Sequence, residues 1–331
     1  MQTENKPTET DRQADDLART LLVLNNYDWL KDEAKAVGVE IIPIKGIDLL
    51  QTVYAEHLDR FVRDIDLLCT SEADCRRLVE RLCQEEYRLE FPFSMRPEVL
   101  AAKQKVSLLS CSMTKVNVDI HTAFVTKKFF AKTIGAFNAD ALTRCRKGHM
   151  EATDRWLFLA QHAAFHLFSD GKWTRDLMVL LLPLDGTQHI TLTEKATLYG
   201  FRRVMAAALC HVCKGLPKQG QAALAALKPT ASEQRFLSFV RHFDHPFSRH
   251  AFDRLIAAYW EFVFIDRRIA RLSAWLRLIF PDKGMLSNIY KIKRPLSVLM
   301  FYPLNILIVG LTSLVFLSVY CSVTTLSRKS I

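Results

Sequence analysis

The sequence predicts an α+β fold, in which a mixed sheet with packed helices precedes an all-helical domain and a C-terminal apolar helix. Three observations lead to this prediction. Short segments of alternating apolar and polar residues are confined to residues 40–125, and helical spacing of apolar residues dominates from about residue 150. A tract without charged residues, residues 296–327, follows near the C-terminus.

These patterns divide the chain into four regions. Residues 1–15 are polar and are expected to be disordered. Residues 16–150 combine short strands with helices, and residues 151–290 show few strand-like alternations. Residues 291–331 place the hydrophobic tract between basic residues. At 331 residues the chain is long enough for two domains, each with its own core.

The first predicted elements lead to a glycine turn. Residues 17–37 have helical spacing, and residues 41–44 have the character of a short buried strand that ends at Lys45 and Gly46. Helical spacing resumes over residues 47–54. A glycine between a strand and a helix lets backbone N–H groups approach a phosphate group, and Lys45 is a cation at the same turn.

The next predicted strand carries an acidic pair. Asp64 and Asp66 lie on one of its faces, because side chains alternate along a strand, and Ile65 and Leu67 lie on the other. Arg63, just before the pair, is a cation placed to contact phosphate oxygens.

A second alternating segment, near residue 119, supplies a third carboxylate. Asp119 and His121 fall on its polar face, whereas Val118 and Ile120 fall on its apolar face. His121 either contacts a substrate or caps the edge of the sheet, and the sequence favours neither interpretation.

Three carboxylates on neighbouring strands, beside a glycine turn, suit a divalent metal ion that carries a nucleoside triphosphate. Nucleotidyl transfer needs metal ions that neutralise phosphate charge and align an in-line attack. Two carboxylates bridge the metals, and a third holds or activates the nucleophile. Mg²⁺, or Mn²⁺ in its place, is bound by carboxylate oxygens together with substrate phosphates. The D-x-D pattern alone is weak, since two exposed loop aspartates would also produce it.

The remaining patterns complete the two domains. Residues 72–85 have helical spacing, and residues 90–93 and 105–111 are predicted to be short strands. His162 and His166 have a spacing that can bind zinc, but no third ligand is evident, so we interpret them as structural. Helices are predicted at residues 156–182, 192–216, 219–227, 232–243 and 251–280.

The composition indicates a globular protein with a basic surface. Half of the residues are hydrophobic (50%), and the formal net charge is +10. This charge favours anionic partners such as nucleotides, RNA or lipid headgroups, although a generic basic surface explains it equally well. The eight scattered cysteines and the polar N-terminus argue against a secreted, disulfide-bonded protein and favour a cytoplasmic location.

The charge-free tract has two interpretations. Residues 306–326 are long enough to span a bilayer, which takes roughly 20 apolar residues. Residues 291–294 carry three basic side chains, so this interpretation attaches a cytoplasmic protein to the inner face of the cell membrane, or inserts a hairpin or in-plane segment broken near Pro303. The other interpretation is a hydrophobic helix buried in the helical domain or in a dimer interface.

The motifs resemble those of the nucleotidyltransferase superfamily with a polymerase-β-like catalytic core. The closer resemblance is to the uncharacterised nucleotidyltransferases of bacteria, and it covers roughly residues 17–295. The segments that carry it are KGIDLLQTVY (45–54), RFVRDIDLLC (60–69), NVDIHTAF (117–124), LFLAQHAAFH (157–166) and WTRDLMVLL (173–181).

The resemblance implies a nucleotidyltransferase-type sheet and a set of site residues. Asp64, Asp66 and Asp119 would be the catalytic and metal-binding carboxylates, and Gly46 the turn on the phosphate side. The superfamily usually has Gly-Ser or Gly-Gly at this turn, whereas Ile47 follows the glycine here. The missing hydroxyl removes one phosphate contact.

The expected activity is therefore a metal-dependent transfer of a nucleoside monophosphate from a nucleoside triphosphate to an acceptor, with release of pyrophosphate. Lys45, Gly46 and Arg63 would bind the nucleotide. The acceptor stays open, and a protein, a small molecule and an RNA end are all candidates. The alternative is a catalytically weakened nucleotide-binding or regulatory protein with the same fold, which the altered turn favours and the three aspartates oppose.

Overall fold

The chain divides into two compact units in the computed structural model. The first comprises Met1–Thr126 and Cys145–His149, and the second comprises Lys127–Arg144 and Met150–Ile331. The structure describes residues 9–55, 60–125, 133–145, 148–166, 168, 170–231, 233–234, 237, 264–266, 268–290 and 301–314.

The first unit alternates helices and strands. Its helices are α1 (Glu9–Ala36), α2 (Gly46–Thr52), α3 (Glu72–Gln84) and α4 (Pro97–Lys103). Its strands are β1 (Ile41–Pro43), β2 (Ile65–Cys69), β3 (Tyr87–Leu89), β4 (Lys105–Ser110) and β5 (Val118–His121). Residues 9–15, which the composition predicts to be disordered, are the first turns of α1.

The five strands form one mixed sheet in the order β1-β2-β5-β4-β3. β2 and β5 are parallel, and the other neighbouring pairs are antiparallel. This arrangement confirms the predicted α+β fold with a mixed sheet. The predicted strand at residues 90–93 is wrong, because the edge strand β3 lies earlier, at Tyr87–Leu89.

One face of the central strands belongs to the core of the first unit. Four of its apolar residues are fully buried: Ile65, Leu67, Val118 and Ile120. α3 begins where the Ser71 hydroxyl accepts a hydrogen bond from the Asp74 backbone N–H at 3.0 Å, as a helix N-cap does. The helix then buries one stripe of side chains at helical spacing: Cys75, Leu78, Val79 and Leu82. The polar face of β2 and β5 is left for the site.

The second unit is helical in its described residues, which agrees with the predicted all-helical region. Its helices are α5 (Thr133–Arg144), α6 (Ala152–Phe165), α7 (Gly171–Leu181), α8 (Gly186–Tyr199), α9 (Arg202–Val212), α10 (Pro217–Leu227), α11 (Arg268–Ile279) and α12 (Lys283–Tyr290).

Two of the long predicted helices are each two helices. The predicted helix 156–182 is interrupted before α7, where the Asp170 side chain accepts the Lys172 backbone N–H at 3.0 Å. The predicted helix 192–216 is interrupted at Gly200, whose φ of 75° ends α8 in the left-handed region. Most of the predicted helix 232–243, and the beginning of the one at 251–280, lie outside the described residues.

The charge-free tract is described at residues 301–314, and these residues are helical. The rest of the tract, including residues 315–326 of the predicted membrane segment, lies outside the described residues. Among the residues that the structure describes, no helix is both long enough and apolar enough to cross a membrane. The predicted C-terminal apolar helix is therefore not found at its full length.

Candidate functional site

The parallel pairing of β2 and β5 brings two predicted site residues side by side. Asp66 and Asp119 are direct register partners, since each is the second residue of its strand. β4 lies on the other side of β5 and places Ser107 opposite Asp119 and Lys105 opposite His121. Two of the three predicted carboxylates, Asp66 and Asp119, therefore meet at the centre of the sheet, on the face opposite the buried apolar residues.

Lys45 forms a buried ion pair with Asp66. Its Nζ lies 2.5 Å from Asp66 Oδ1, and the two side chains are only 13% and 8% exposed. Although burial alone would raise the pKa of the Asp66 carboxyl, the Lys45 ammonium and a hydrogen bond from His121 hold that pKa well below its usual range. Asp66 is therefore an anion at neutral pH.

Lys45 also has an unusual backbone conformation. Its φ is 54° and its ψ is −120°, a combination that non-glycine residues rarely adopt. Such a conformation costs on the order of 1–3 kcal/mol and persists only where the surrounding structure enforces it. Lys45 immediately precedes α2. The same residue therefore makes the sharp turn into this helix and the buried ion pair.

His121 completes the buried part of the site. Its Nε2 lies 3.0 Å from Asp66 Oδ1 and 3.5 Å from Lys45 Nζ. Burial and the Lys45 charge lower the pKa of His121, so the imidazole is neutral near pH 7. The shorter distance assigns the proton to Nε2, which donates to Asp66. Nδ1 is then a buried acceptor that has no hydrogen-bond partner among the described residues.

Lys105 is a site residue that the sequence did not predict. Its Nζ lies 2.5 Å from Asp119 Oδ2, and the two side chains are 28% and 20% exposed. The signal was present in the sequence, because Lys105 and Ser107 alternate with Val106 and Leu108 along a predicted strand. Only the register between β4 and β5 shows that this polar face is the one that carries Asp119.

Asp64 is the exposed member of the three predicted aspartates. It directly precedes β2 and is exposed, whereas Asp66 is buried. Partial loss of hydration and the negative charges of Asp66 and Asp119 raise the pKa of Asp64. The three carboxylates are thus close enough to repel one another, and a bound cation would relieve this repulsion.

Gly46 and Arg63 have surroundings that the sequence did not predict. A Cβ on Gly46 would lie 2.8 Å from Val62 Cγ1, so a glycine is needed there for close packing. Arg63 extends towards α1, where its guanidinium lies 3.0 Å from Asp16, and its side chain is 71% exposed. The phosphate contacts expected of both residues stay predictions.

The donor set fits a divalent cation. One ligand atom from each of Asp66, Asp119 and His121 lies within 4.8 Å of the other two. Carboxylate oxygens suit Mg²⁺ and Mn²⁺, and neutral imidazole is a common ligand of transition-metal ions. The crowded Asp64 carboxyl is a further feature that a cation would satisfy. His121 would bind the cation through Nε2, the ring atom that faces Asp66, in the tautomer that carries its proton on Nδ1. His121 therefore joins the predicted aspartates as a candidate ligand.

The two histidines of the helical region form an aromatic cluster. The His162 and His166 rings lie 4.7 Å apart, and the Trp173 ring lies 4.7 Å from the first and 5.7 Å from the second. Ring packing of this kind agrees with the structural interpretation of both residues.

Comparison with known proteins identifies one family. The family model described as "Uncharacterised nucleotidyltransferase" matches residues 10–215, a range that includes the sheet, the acidic cluster and helices α1 to α9. No curated protein and no solved structure matches the chain.

Proposed function

Since the chain belongs to the family of uncharacterised nucleotidyltransferases, we propose that it is a metal-dependent enzyme that moves a nucleoside monophosphate group from a nucleoside triphosphate to an acceptor. The observation that carries the proposal is the pairing of Asp66 with Asp119 across β2 and β5, with His121 beside them. Two adjacent carboxylates held on rigid strands are the arrangement that such a reaction requires.

The reaction is an in-line displacement at the α-phosphorus. The oxygen of an acceptor hydroxyl bonds to the α-phosphorus and its proton is lost to water. The bond from that phosphorus to the bridging oxygen breaks, and pyrophosphate leaves with this oxygen. Asp66, Asp119 and His121 would hold the divalent ion, Mg²⁺ or Mn²⁺, with Asp64 beside them. When bound, the ion neutralises the charge of the triphosphate.

The two lysines have a double role in this proposal. Lys45 and Lys105 each neutralise a carboxylate, Asp66 and Asp119 respectively. A divalent ion on these carboxylates competes with both ammonium groups. The lysines are then available to the phosphate oxygens of the nucleotide, which are the next strongest anions at the site.

Label transfer tests the proposal. The purified protein is incubated with Mg²⁺ or Mn²⁺ and with nucleoside triphosphates labelled at either the α- or the γ-phosphorus, in the presence of a cell extract as the source of acceptor. We expect the α-label, and not the γ-label, on a product, together with pyrophosphate. Transfer of the γ-label would indicate phosphoryl transfer and would overturn the proposal.

Matched variants assign the activity to the site. Asp66→Asn should lower pyrophosphate release by more than about 100-fold, because several kcal/mol of charge stabilisation are lost with the metal. Glu80→Gln removes an exposed carboxylate from α3 in the same unit and should leave the rate unchanged. Equal rates for the two variants would mean that the activity arises elsewhere.

A nucleotide-binding protein without turnover is the second candidate. The observation that favours it is the neutralisation of both central carboxylates by lysines, which lowers their attraction for a cation. Such a protein would bind a nucleoside triphosphate in calorimetry and release no pyrophosphate with any acceptor extract. Release above the level of the Asp66→Asn variant would exclude it.

A further inference from the structure

We propose that α11 and the helical segment 301–314 form a docking surface for a lipid bilayer with anionic headgroups. The surface is defined by six exposed leucines: Leu272 and Leu276 on α11, and Leu304, Leu307, Leu311 and Leu314 on the segment. The two helices would lie in the plane of the interface, as amphipathic helices do, with these side chains in the acyl region.

Exposed apolar side chains are concentrated in this part of the chain. Among the described residues, 16 large hydrophobic side chains are exposed, and ten of these lie in residues 268–290 and 301–314. Scattered exposed leucines are ordinary on a protein surface, but a concentration of this kind marks an interaction site.

The helical segment 301–314 exposes apolar side chains and buries polar ones, which is the opposite of a helix on a water-exposed surface. Its leucines are between 42% and 67% exposed, and they recur at the spacing of one helix face. Its polar residues Asn305 and Ser313 are instead buried, at 2% and 7% exposure. A helix in water places its polar residues outwards, so this arrangement suits an apolar environment on the outer side.

Hydrogen bonds hold this reversed orientation in place. The Asn305 amide donates to the backbone carbonyls of Leu278 and Ile279 at 2.8 and 3.0 Å. The Trp275 indole N–H donates to the Ser313 hydroxyl at 3.3 Å. The Tyr290 hydroxyl, at the end of α12, donates to the Asn305 amide oxygen at 3.2 Å. The buried polar atoms of the segment are therefore satisfied by α11 and α12, so the leucine face is fixed outwards.

The charge of the same region selects an anionic lipid surface over a second copy of this chain. The described residues 268–290 contain four basic residues and one acidic residue, and residues 291–294, which lie outside the described residues, carry three more basic residues in the sequence. Two copies would bring like charges together at the interface. Anionic headgroups instead attract basic residues beside an apolar surface, by about 1 kcal/mol for each one near the membrane.

Vesicle sedimentation of the full-length protein tests the proposal. The probes are phosphatidylcholine vesicles with and without phosphatidylglycerol. We expect binding to the anionic vesicles, at least tenfold weaker binding to the zwitterionic ones, and loss of the difference at high salt, because salt screens the attraction. Failure to bind anionic vesicles would overturn the proposal.

A pair of double variants tests the surface itself. Leu307→Ser with Leu311→Ser should weaken binding to anionic vesicles by roughly tenfold or more, since two exposed apolar side chains no longer enter the acyl region. The matched control, Ile190→Ser with Leu198→Ser, replaces two equally exposed residues of α8 and should bind like the wild type. Equal binding by both double variants would refute the surface assignment.

Further measurements keep the test decisive. Circular dichroism establishes that each variant is folded. Should the first variant not fold, Leu272→Ser with Leu276→Ser removes the leucines of α11 instead, with the same expected loss.

Arg277→Gln, at an exposed position of α11, should weaken binding to anionic vesicles by about fivefold and leave binding to zwitterionic vesicles unchanged. A dimer in light scattering that the leucine variants abolish, without vesicle binding, would identify a second copy as the partner and overturn the lipid proposal.

Discussion

Replacement of Lys45 by methionine removes the ammonium group that neutralises the most buried carboxylate of the site. Lys45 Nζ and Asp66 Oδ1 are 2.5 Å apart, and the side chains are 13% and 8% exposed. Breaking a buried ion pair by removing one partner costs about 3–5 kcal/mol, whereas an exposed pair contributes about 0–1 kcal/mol. Because a little water reaches this pair, we expect Lys45→Met to lower the free energy of unfolding by about 2–4 kcal/mol.

Urea unfolding in EDTA, followed by circular dichroism, measures this loss. Asp66→Asn in the Lys45→Met background should restore part of the stability, because the uncompensated charge is then absent, with a coupling energy of at least about 1 kcal/mol. Lys105→Met is the internal comparison and should cost only about 1 kcal/mol, since its pair with Asp119 is more exposed. A loss below about 0.5 kcal/mol for Lys45→Met, or no coupling with Asp66, would mean that this ion pair does not stabilise the fold.

The loss of stability in Lys45→Met depends on pH, and the direction of this dependence follows from the pKa of Asp66. The folded protein holds the pKa of Asp66 below its usual range. Its contribution to stability is therefore present above the unfolded-state pKa of about 3.9 and is lost as the pH falls from there through the folded-state pKa. The difference between wild type and Lys45→Met should be constant near neutral pH and shrink in acid. A difference that grows in acid would contradict this assignment.

Three further predictions concern single positions of the site. Gly46→Ala should lower the free energy of unfolding by about 1–3 kcal/mol, because the new Cβ would lie 2.8 Å from Val62 Cγ1, and Val62→Ala in the same chain should restore part of the loss in urea unfolding. Asp64→Asn should leave the metal-free stability unchanged or raised, since it removes one of three repelling charges, yet calorimetry should show no metal-dependent nucleotide binding. Asp119→Ala should weaken metal-dependent nucleotide binding and abolish label transfer, because it removes one of the three proposed metal ligands, and undiminished transfer would exclude a catalytic role for this residue.

Period-two alternation made the acidic face of the sheet predictable. Each of the segments around Asp66 and Asp119 separates polar from apolar residues, so either segment alone indicates which side of its strand faces the core. The two segments were expected to form neighbouring strands, and the register of β2 and β5 confirms it. The face of a strand on which a side chain lies can thus be predicted from the residues of that strand alone.

The partner of Asp119 was not predictable in the same way. Lys105 reaches Asp119 through the antiparallel register of β4 and β5, and this register depends on packing between segments rather than on either segment alone. The burial of His121 Nδ1, which has no hydrogen-bond partner in the part of the chain that the structure describes, likewise depends on several elements. The exposed position of Arg63 depends on α1, which the spacing of residues 60–71 does not reveal.

The ends of two helices were predicted wrongly, although the sequence contains the residue types that mark a helix end. Gly200 and Asp170 have the residue types of a helix C-cap and N-cap, yet the apolar spacing continues across both and predicted longer helices. Apolar periodicity indicates which face of a helix is buried, but it does not indicate at which residue the helical hydrogen bonds end.

Electron paramagnetic resonance of bound Mn²⁺ detects an ion at the site without any acceptor. The claim is that Asp66, Asp119 and His121 hold a divalent cation together. The wild type and the Glu80→Gln control should bind Mn²⁺ with the same affinity, more tightly in the presence of a nucleoside triphosphate. Asp66→Asn and His121→Ala should each weaken this binding by at least about tenfold. Equal Mn²⁺ affinity in all four proteins would contradict the account.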